Sequence, residues 1–353
     1  MAIENTIYDS RTLLGVFWAD DYMEPPSNYW LQFFPSEITF DTEEVDFGKI
    51  YADVRKLAPL VVPTAQGKPI YTAAERRMVV KPAYIKPKDP VSASRMIRRA
   101  AGIGDIGRQQ PLSPQARYNA IVADVVRQHR NAIERRWEWM AAEAILYGAV
   151  TLEDEAYPRT VVDFERAANL SVTLTNGNRW GDNGVGIMSS IEGFRKRVRD
   201  APFGGVTNRL TIGGDVWDVM RESDEIKELL NTNYRLNNNV SLNMGMREDT
   251  QVEYVGKLSN TLEVYVYSDY YQDTTGAAVP FMSPKDILLS GPNVRGVRAF
   301  GAIQDIGANL QAMSVFGKMW NEQDPSVTFI MHQSAPLMVP VNPNQTLRAR
   351  VVA

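Results

Sequence analysis

Between Tyr118 and Tyr147, apolar side chains recur at spacings of mostly three and four: Tyr118, Ile121, Val122, Val125, Ile133, Trp137, Met140, Ala144 and Tyr147. That period marks one buried stripe along a helix. Ser113 stands where an N-cap belongs, Pro114 takes the first helical position without forfeiting a hydrogen bond, and Gly148 supplies a stop. The pattern predicts a helix over Ser113–Tyr147, a rod of ~50 Å at about 1.5 Å per residue. An ordinary globular helix has about 11 residues. This one reads as a spine.

Elsewhere the pattern changes. The first 50 residues hold Phe17, Trp18, Tyr22, Tyr29, Trp30, Phe33 and Phe34, interrupted by Pro25, Pro26 and Pro35. Prolines there defeat a long helical period. The segment reads as an extended arm lying along something else. Over 54–92, the apolar run Leu57–Val62, the turn signal Gln66-Gly67-Lys68, and then Ile70–Thr72 and Met78–Val80 describe a β-hairpin. Pro59, Pro63, Pro69, Pro82, Pro87 and Pro90 suit edge strands, so the hairpin is expected to project. After Gly148 a second hairpin is expected, with Glu153-Asp154-Glu155 at its tip and Thr160–Phe164 returning. A mixed α/β region follows, with helices over Ile187–Val198 and Asp215–Leu230. Its strands are expected at Arg209–Ile212, Val252–Lys257, Leu262–Tyr267 and Ile287–Ser290. Two last strands, Val327–Gln333 and Leu347–Val352, flank a turn marked by Pro336, Pro340 and Pro343.

Charge sharpens this picture. Residues 1–50 carry ten acidic side chains against Arg11 and Lys49, net −8, whereas residues 51–110 carry twelve basic against four acidic, net +8. Adjacent segments of opposite sign are either two solvated faces or complementary surfaces that dock within one chain or between neighbours. The chain as a whole is acidic at −4, unlike a protein built mainly to hold nucleic acid.

The chemistry available is narrow. With 353 residues there is room for a large core, yet cysteine is absent and histidine occurs only at 129 and 332. Disulfides, thiolate metal sites and cysteine nucleophiles are excluded, and general-base chemistry near neutrality is short of its usual residue. The amino terminus, Met-Ala-Ile-Glu-Asn, has no basic leader or apolar stretch, so a secretory signal is not expected. No apolar run is long enough to span a bilayer; Trp137–Val150 is too short and is broken by Glu143. Gly102-Ile-Gly104-Asp-Ile-Gly107 has the GxGxxG spacing, but the next helix begins only near Ser113, so these glycines cannot pack a helix mouth against a pyrophosphate. A linker is the better reading. His129, His332 and the acids at 153–155 read as packed or solvated side chains. The basic run Arg195-Lys196-Arg197 with Arg199 reads as a solvated helix face or a subunit contact. No catalytic, cofactor-binding or metal-binding residue is assigned.

Several stretches resemble the bacteriophage lambda major capsid protein family. They are Ala83-Tyr-Ile-Lys-Pro-Lys-Asp-Pro-Val91, Met96-Ile-Arg-Arg99, Val294–Asp305, Trp320 and, most specifically, Gln333-Ser-Ala-Pro-Leu-Met338. The resemblance implies an α+β fold of the Hong Kong 97 (HK97-like) type. Its parts would be an N-terminal arm at 1–53, an extended E-loop hairpin at 54–92, and a peripheral domain at 93–162 with its spine helix. An axial domain at 163–325 and C-terminal strands at 326–353 returning to the peripheral domain would complete it. It also implies a shell subunit without catalysis or cofactors, forming pentamers and hexamers around packaged double-stranded DNA. The implied partners are a scaffolding protein, a decoration or cement protein and a portal, with assembly in the bacterial cytoplasm and no membrane. Contact residues between neighbours are expected at Gln66, Gly67, Lys68, Arg76 and Arg77 on the loop and at Asp41, Glu43 and Glu44 on the acidic arm. The alternatives are an encapsulin-like compartment, a nucleotide-binding enzyme using Gly102–Gly107 and a sequence-independent DNA-binding protein.

Overall fold

The computed structural model describes residues 7–19, 28–42, 45–46, 60, 66, 79–92, 113–154, 157–227, 252–258, 261–309, 311–324 and 327–353. Its longest element is helix α2, Pro114–Tyr147. The Ser113 hydroxyl accepts from Ala116 N, and Gly148 closes the helix in the left-handed region at φ 68°. Only the apolar stripe of the first turns is covered, but from Trp137 to Leu146 nearly every residue is buried. The spine therefore enters the body along its length and ends inside it.

Short helix α1, Ser10–Phe17, is capped by Asp9 and buries Leu13 and Phe17. It packs on α2 and on strand Phe316–Glu322. Tyr29, Trp30, Phe33 and Phe34 are buried too, so the described part of the arm sinks most of its aromatics into its own chain, whereas Trp18 is exposed. It then forms an unforeseen strand, Ser36–Thr39, parallel to Gly296–Phe300. The opposite edge of Gly296–Phe300 takes Pro336–Pro340, antiparallel. The expected proline-marked turn is thus wrong at its start, because Pro336 and Pro340 bound a fully buried edge strand of three. Prolines are tolerated at such positions because one edge of the strand has no ladder partner.

The expected hairpin needs correction at its end. Strand Lys88–Ser92 pairs with Val327–Gln333, which pairs with Phe316–Glu322, and Ala83 and Val91 are buried. Residues 83–92 therefore belong to the body. Val79–Val80 pairs with Val45–Asp46, while Leu57–Pro59, Ile70–Thr72 and most of the expected loop lie outside the described residues.

A six-stranded sheet runs in the order Ser171–Thr173, Leu347–Arg350, Asp286–Ser290, Arg209–Ile212, Leu262–Tyr267 and Val252–Leu258. Helices α3, Ile187–Asp200, and α4, Gly214–Glu222, bury Ile187, Ile191, Phe194, Val198, Val216 and Met220 into the core that includes the sheet's Leu210, Ile212, Ile287 and Leu289. Here lies a second correction. Leu347–Arg350 joins this sheet instead of returning to the spine with the other C-terminal strands.

Candidate subunit-contact site and its buried anchors

The residues expected to contact neighbours divide sharply. Asp41 is exposed just beyond Ser36–Thr39, and Gln66 is exposed too. No hydrogen bond or ion pair joins these two described residues. Glu43, Glu44, Gly67, Lys68, Arg76 and Arg77 lie outside the described residues, as does Gly102–Gly107. Strand Ser36–Thr39 leaves all four side chains exposed, including Ile38. An outer strand this bare, beside acidic Glu37 and Asp41, is a surface available to another chain.

Beneath it the arm is pinned by a buried carboxyl group. Glu138 of α2 is buried, and its two oxygens accept from Trp30 N at 2.7 Å and Leu31 N at 2.9 Å. These N–H groups open a single helical turn, where donors lack internal partners. Burial pushes the Glu138 carboxyl up to about 8, against the downward pull of the two N–H groups. Tyr29 shares a hydrogen bond with Thr211 at 2.5 Å and packs its ring on Trp30 and Tyr267. Nearby, Arg135 donates to Asp269 at 2.9 Å.

A second anchor closes the far end of α2. Arg166 donates to Ile145 O at 3.0 Å and Leu146 O at 2.7 Å, two carbonyls the helix cannot satisfy internally. It also donates to Ser171 at 2.6 Å, at the edge of the six-stranded sheet. Gly148 is required twice here: for its positive φ, and because a Cβ would lie 2.6 Å from that of Arg166. One guanidinium therefore holds the spine against the second core, and burial lowers its pKa to about 10.

The third anchor joins the two histidines, 203 residues apart. Their Nδ1 atoms lie 2.9 Å apart, and His129 Nε2 is 2.9 Å from Asp89 Oδ2. Both imidazoles are buried, under Phe17 of α1, whose ring centre is 5.0 Å from that of His332. Sealed from solvent, they can hold a proton but meet no substrate. From sequence alone His129 and His332 are separate side chains, packed or solvated, with nothing to pair them. The signal available was the register of His129, midway between Val125 and Ile133 on the apolar stripe.

Asp305 gathers three donors, Gly307 N at 2.8 Å, Gln333 Nε2 at 2.9 Å and Lys318 Nζ at 3.2 Å, which together pull its pKa down despite partial burial. It thereby ties the Val294–Asp305 stretch to the Gln333–Met338 stretch. At the expected acidic tip, Asp154 pairs with Arg136 at 2.9 Å and Glu153 with Arg159 at 3.7 Å. Among the described residues, no helix is long and apolar enough to cross a membrane.

Residues 18–351 match the profile of the family described as phage major capsid protein E. The chain is 26% identical over 349 residues to the major capsid protein of Enterobacteria phage P21, covering 98% of this chain and 99% of that one. It is 28% identical over 318 residues to the major capsid protein of Escherichia phage lambda, covering 89% and 90%. Among solved structures, the protein assigned as the capsid protein of a prophage of Escherichia coli CFT073 superposes with a TM-score of 0.74. Identity there is 23%, over 99% of this chain and 100% of that one.

Proposed function

The chain belongs to the phage major capsid protein E family, with an HK97-like capsid fold, and from that premise we propose how it builds a shell. It is a major capsid protein, a structural component of the virion. We infer that it assembles as pentamers and hexamers into a closed icosahedral shell around double-stranded DNA, in the bacterial cytoplasm. A scaffolding protein, a portal at one vertex and a decoration protein are the expected partners, with non-specific contact to DNA. The observation that carries the reading is end-to-end correspondence: the match to the P21 protein leaves almost nothing of either chain uncovered. No catalytic role is assigned. Each subunit is held by several contacts at once, so weak individual interfaces sum to a stable shell.

Within that shell, the basic loop around Gln66, Gly67, Lys68, Arg76 and Arg77 docks on a neighbour's acidic surface, formed by Asp41, Glu43 and Glu44. The support is the +8 of residues 51–110 against the −8 of residues 1–50, with Asp41 exposed at the end of a bare strand. Expressed with its scaffold, the chain should give closed particles tens of nanometres across in electron micrographs. A chain that stays monomeric at every salt and concentration would overturn the assembly reading. An exposed ion pair contributes about 0–1 kcal/mol, so the contact is tested by double reversal, Arg76→Glu with Arg77→Glu. The expected result is normal circular dichroism with failed assembly at low salt, rescued as added salt screens charges over the ~10 Å scale of 0.1 M. Undiminished particle yield at low salt would refute the docking.

A further inference from the structure

We propose that Asp89, His129 and His332 form an acid-operated latch, which ties helix α1 and strand Lys88–Ser92 to the spine while both imidazoles are neutral and releases them on proton uptake. The geometry fixes where the protons sit. Asp89 is half-exposed and, as a carboxylate, only accepts, so His129 Nε2 carries the hydrogen that faces it at 2.9 Å. A neutral His129 then has a bare Nδ1. Its partner among the described residues is His332, whose Nδ1–H donates to it at 2.9 Å. His332 Nε2 is left as an unprotonated nitrogen, buried and without a hydrogen-bond partner among the described residues.

That nitrogen is where the next proton must go. It faces Gly317, where an added Cβ would stand 3.2 Å from Nε2 and 3.3 Å from the Cβ of Leu13 in α1. Among the described residues an N–H⁺ at this nitrogen has no acceptor. Its charge is also uncompensated, because the one carboxylate is spent on the far side of His129. Burying such a group costs far more than the apolar packing that covers it. Protonation is therefore coupled to lifting α1, which admits water.

Among the described residues packed around the pair, the other charges are exposed or already engaged. On α1, Arg11 is exposed. On strand Phe316–Glu322, Lys318 is held by Asp305. Gln333, beside His332, donates to the same Asp305. Lys88 lies over the rings of Trp320 and Phe329. Arg130 of α2 is bonded to Glu134 and to Ala19 O. Burial, seconded by the neighbouring imidazole, lowers the His332 pKa to about 3, and burial also lowers that of His129 against the pull of Asp89. A base with a depressed pKa takes up its proton more readily when the latch is open. Closure is thus fully stable above about 6.5, the value of a free histidine, and weakens as pH falls from there towards 3.

The significance for a shell rests on the capsid reading, since α1 and Lys88–Ser92 lie in the arm and at the foot of the loop assigned to neighbouring subunits. The latch itself does not depend on that reading and is tested on the unassembled full-length chain. Hydrogen exchange, corrected for intrinsic chemistry, is followed between pH 7.5 and 4.5. The opening equilibrium of α1 and of Lys88–Ser92 should rise by up to about tenfold per pH unit below 6.5, while Leu210–Ile212 in the second core keeps its protection. His332→Phe, which keeps a ring against Phe17 but binds no proton, should reduce the slope to the part His129 contributes. A flat wild-type profile, or an unchanged slope in His332→Phe, overturns the proposal. Nitrogen NMR of the two wild-type imidazoles decides the matter even if the variant fails to fold. The latch requires Nε2–H on His129 and Nδ1–H on His332 at pH 7.5, and an imidazole that ionises near 6.5 with α1 still protected would overturn it.

Discussion

The molecule has two cores built on different principles. The first, around α2, is assembled from the arm, residues 83–91, the spine and its hairpin, and strands as far on as Val339. The second is nearly contiguous, running from Leu170 to Leu289 with only the last strand brought back from Leu347 to Val352. The first core is pinned by buried ionisable groups: Glu138 on the arm, His129 with His332, and Arg166 at the end of the spine. The second is closed chiefly by apolar side chains between sheet and helices. Hydrophobic burial is non-directional, so segments arriving from distant parts of a chain are not held in register by it alone. Directional hydrogen bonds that are costly to leave unmade provide that register. The core that brings arm and loop to the spine relies on several of them, and the second on one such pair, Arg348 donating to buried Asp286 where the last strand is brought back.

The contrast can be broken on either side. Ile212→Ala, in the apolar cluster between sheet and helices of the second core, should give the largest loss, about 3–4 kcal/mol from transfer and cavity terms. In urea unfolding that loss should not vary between pH 5 and 8. A strongly pH-dependent loss would blur the distinction between the cores.

Arg166→Ala should cost about 2 kcal/mol, because Leu146 O loses its guanidinium donor and Ile145 O keeps only Thr346 Oγ1. The damage should appear as lost exchange protection at both the end of α2 and Ser171–Thr173. Loss confined to one of them would deny that the guanidinium links the cores.

Glu138 gives the smallest and most specific signal. Its folded pKa of about 8 lies above the ordinary carboxyl value of 4.5, so the folded state retains a proton that the unfolded state has released. Its contribution is therefore present at low pH and declines as pH rises towards 8, by up to about 1.4 kcal/mol per unit. Glu138→Gln should flatten the decline between pH 6.5 and 8 in thermal unfolding. A wild-type profile already flat there would remove Glu138 from the set of pH-dependent anchors. The sign is opposite to that of the histidine latch, so the first core should be sensitive on both flanks of neutrality.

Much of the framework was legible before folding. The limits of α2, Ser113 at its start and Gly148 at its stop, followed from spacing and capping chemistry, both properties of neighbouring residues. Arg209–Ile212, Leu262–Tyr267 and Val327–Gln333 likewise stood out as short β-rich runs between turn residues, and the structure has strands with those limits. Ser36–Thr39, Gly296–Phe300 and Pro336–Pro340 did not. Their strand character comes from pairing with one another across some 300 residues, and the prolines in the last of them argue against a strand when read locally.

What the sequence determined by itself is whatever depends on near neighbours: the helical period, the caps, the turn signals, the opposite charges of residues 1–50 and 51–110, and the word-like stretches that carry the family resemblance. What tertiary structure decided is which distant polar groups meet. Nothing near Glu138 in sequence foretells Trp30 N as its partner, and nothing near His129 foretells His332. Such pairings are enforced by burial, since a polar group removed from water must find a partner wherever the fold happens to place one.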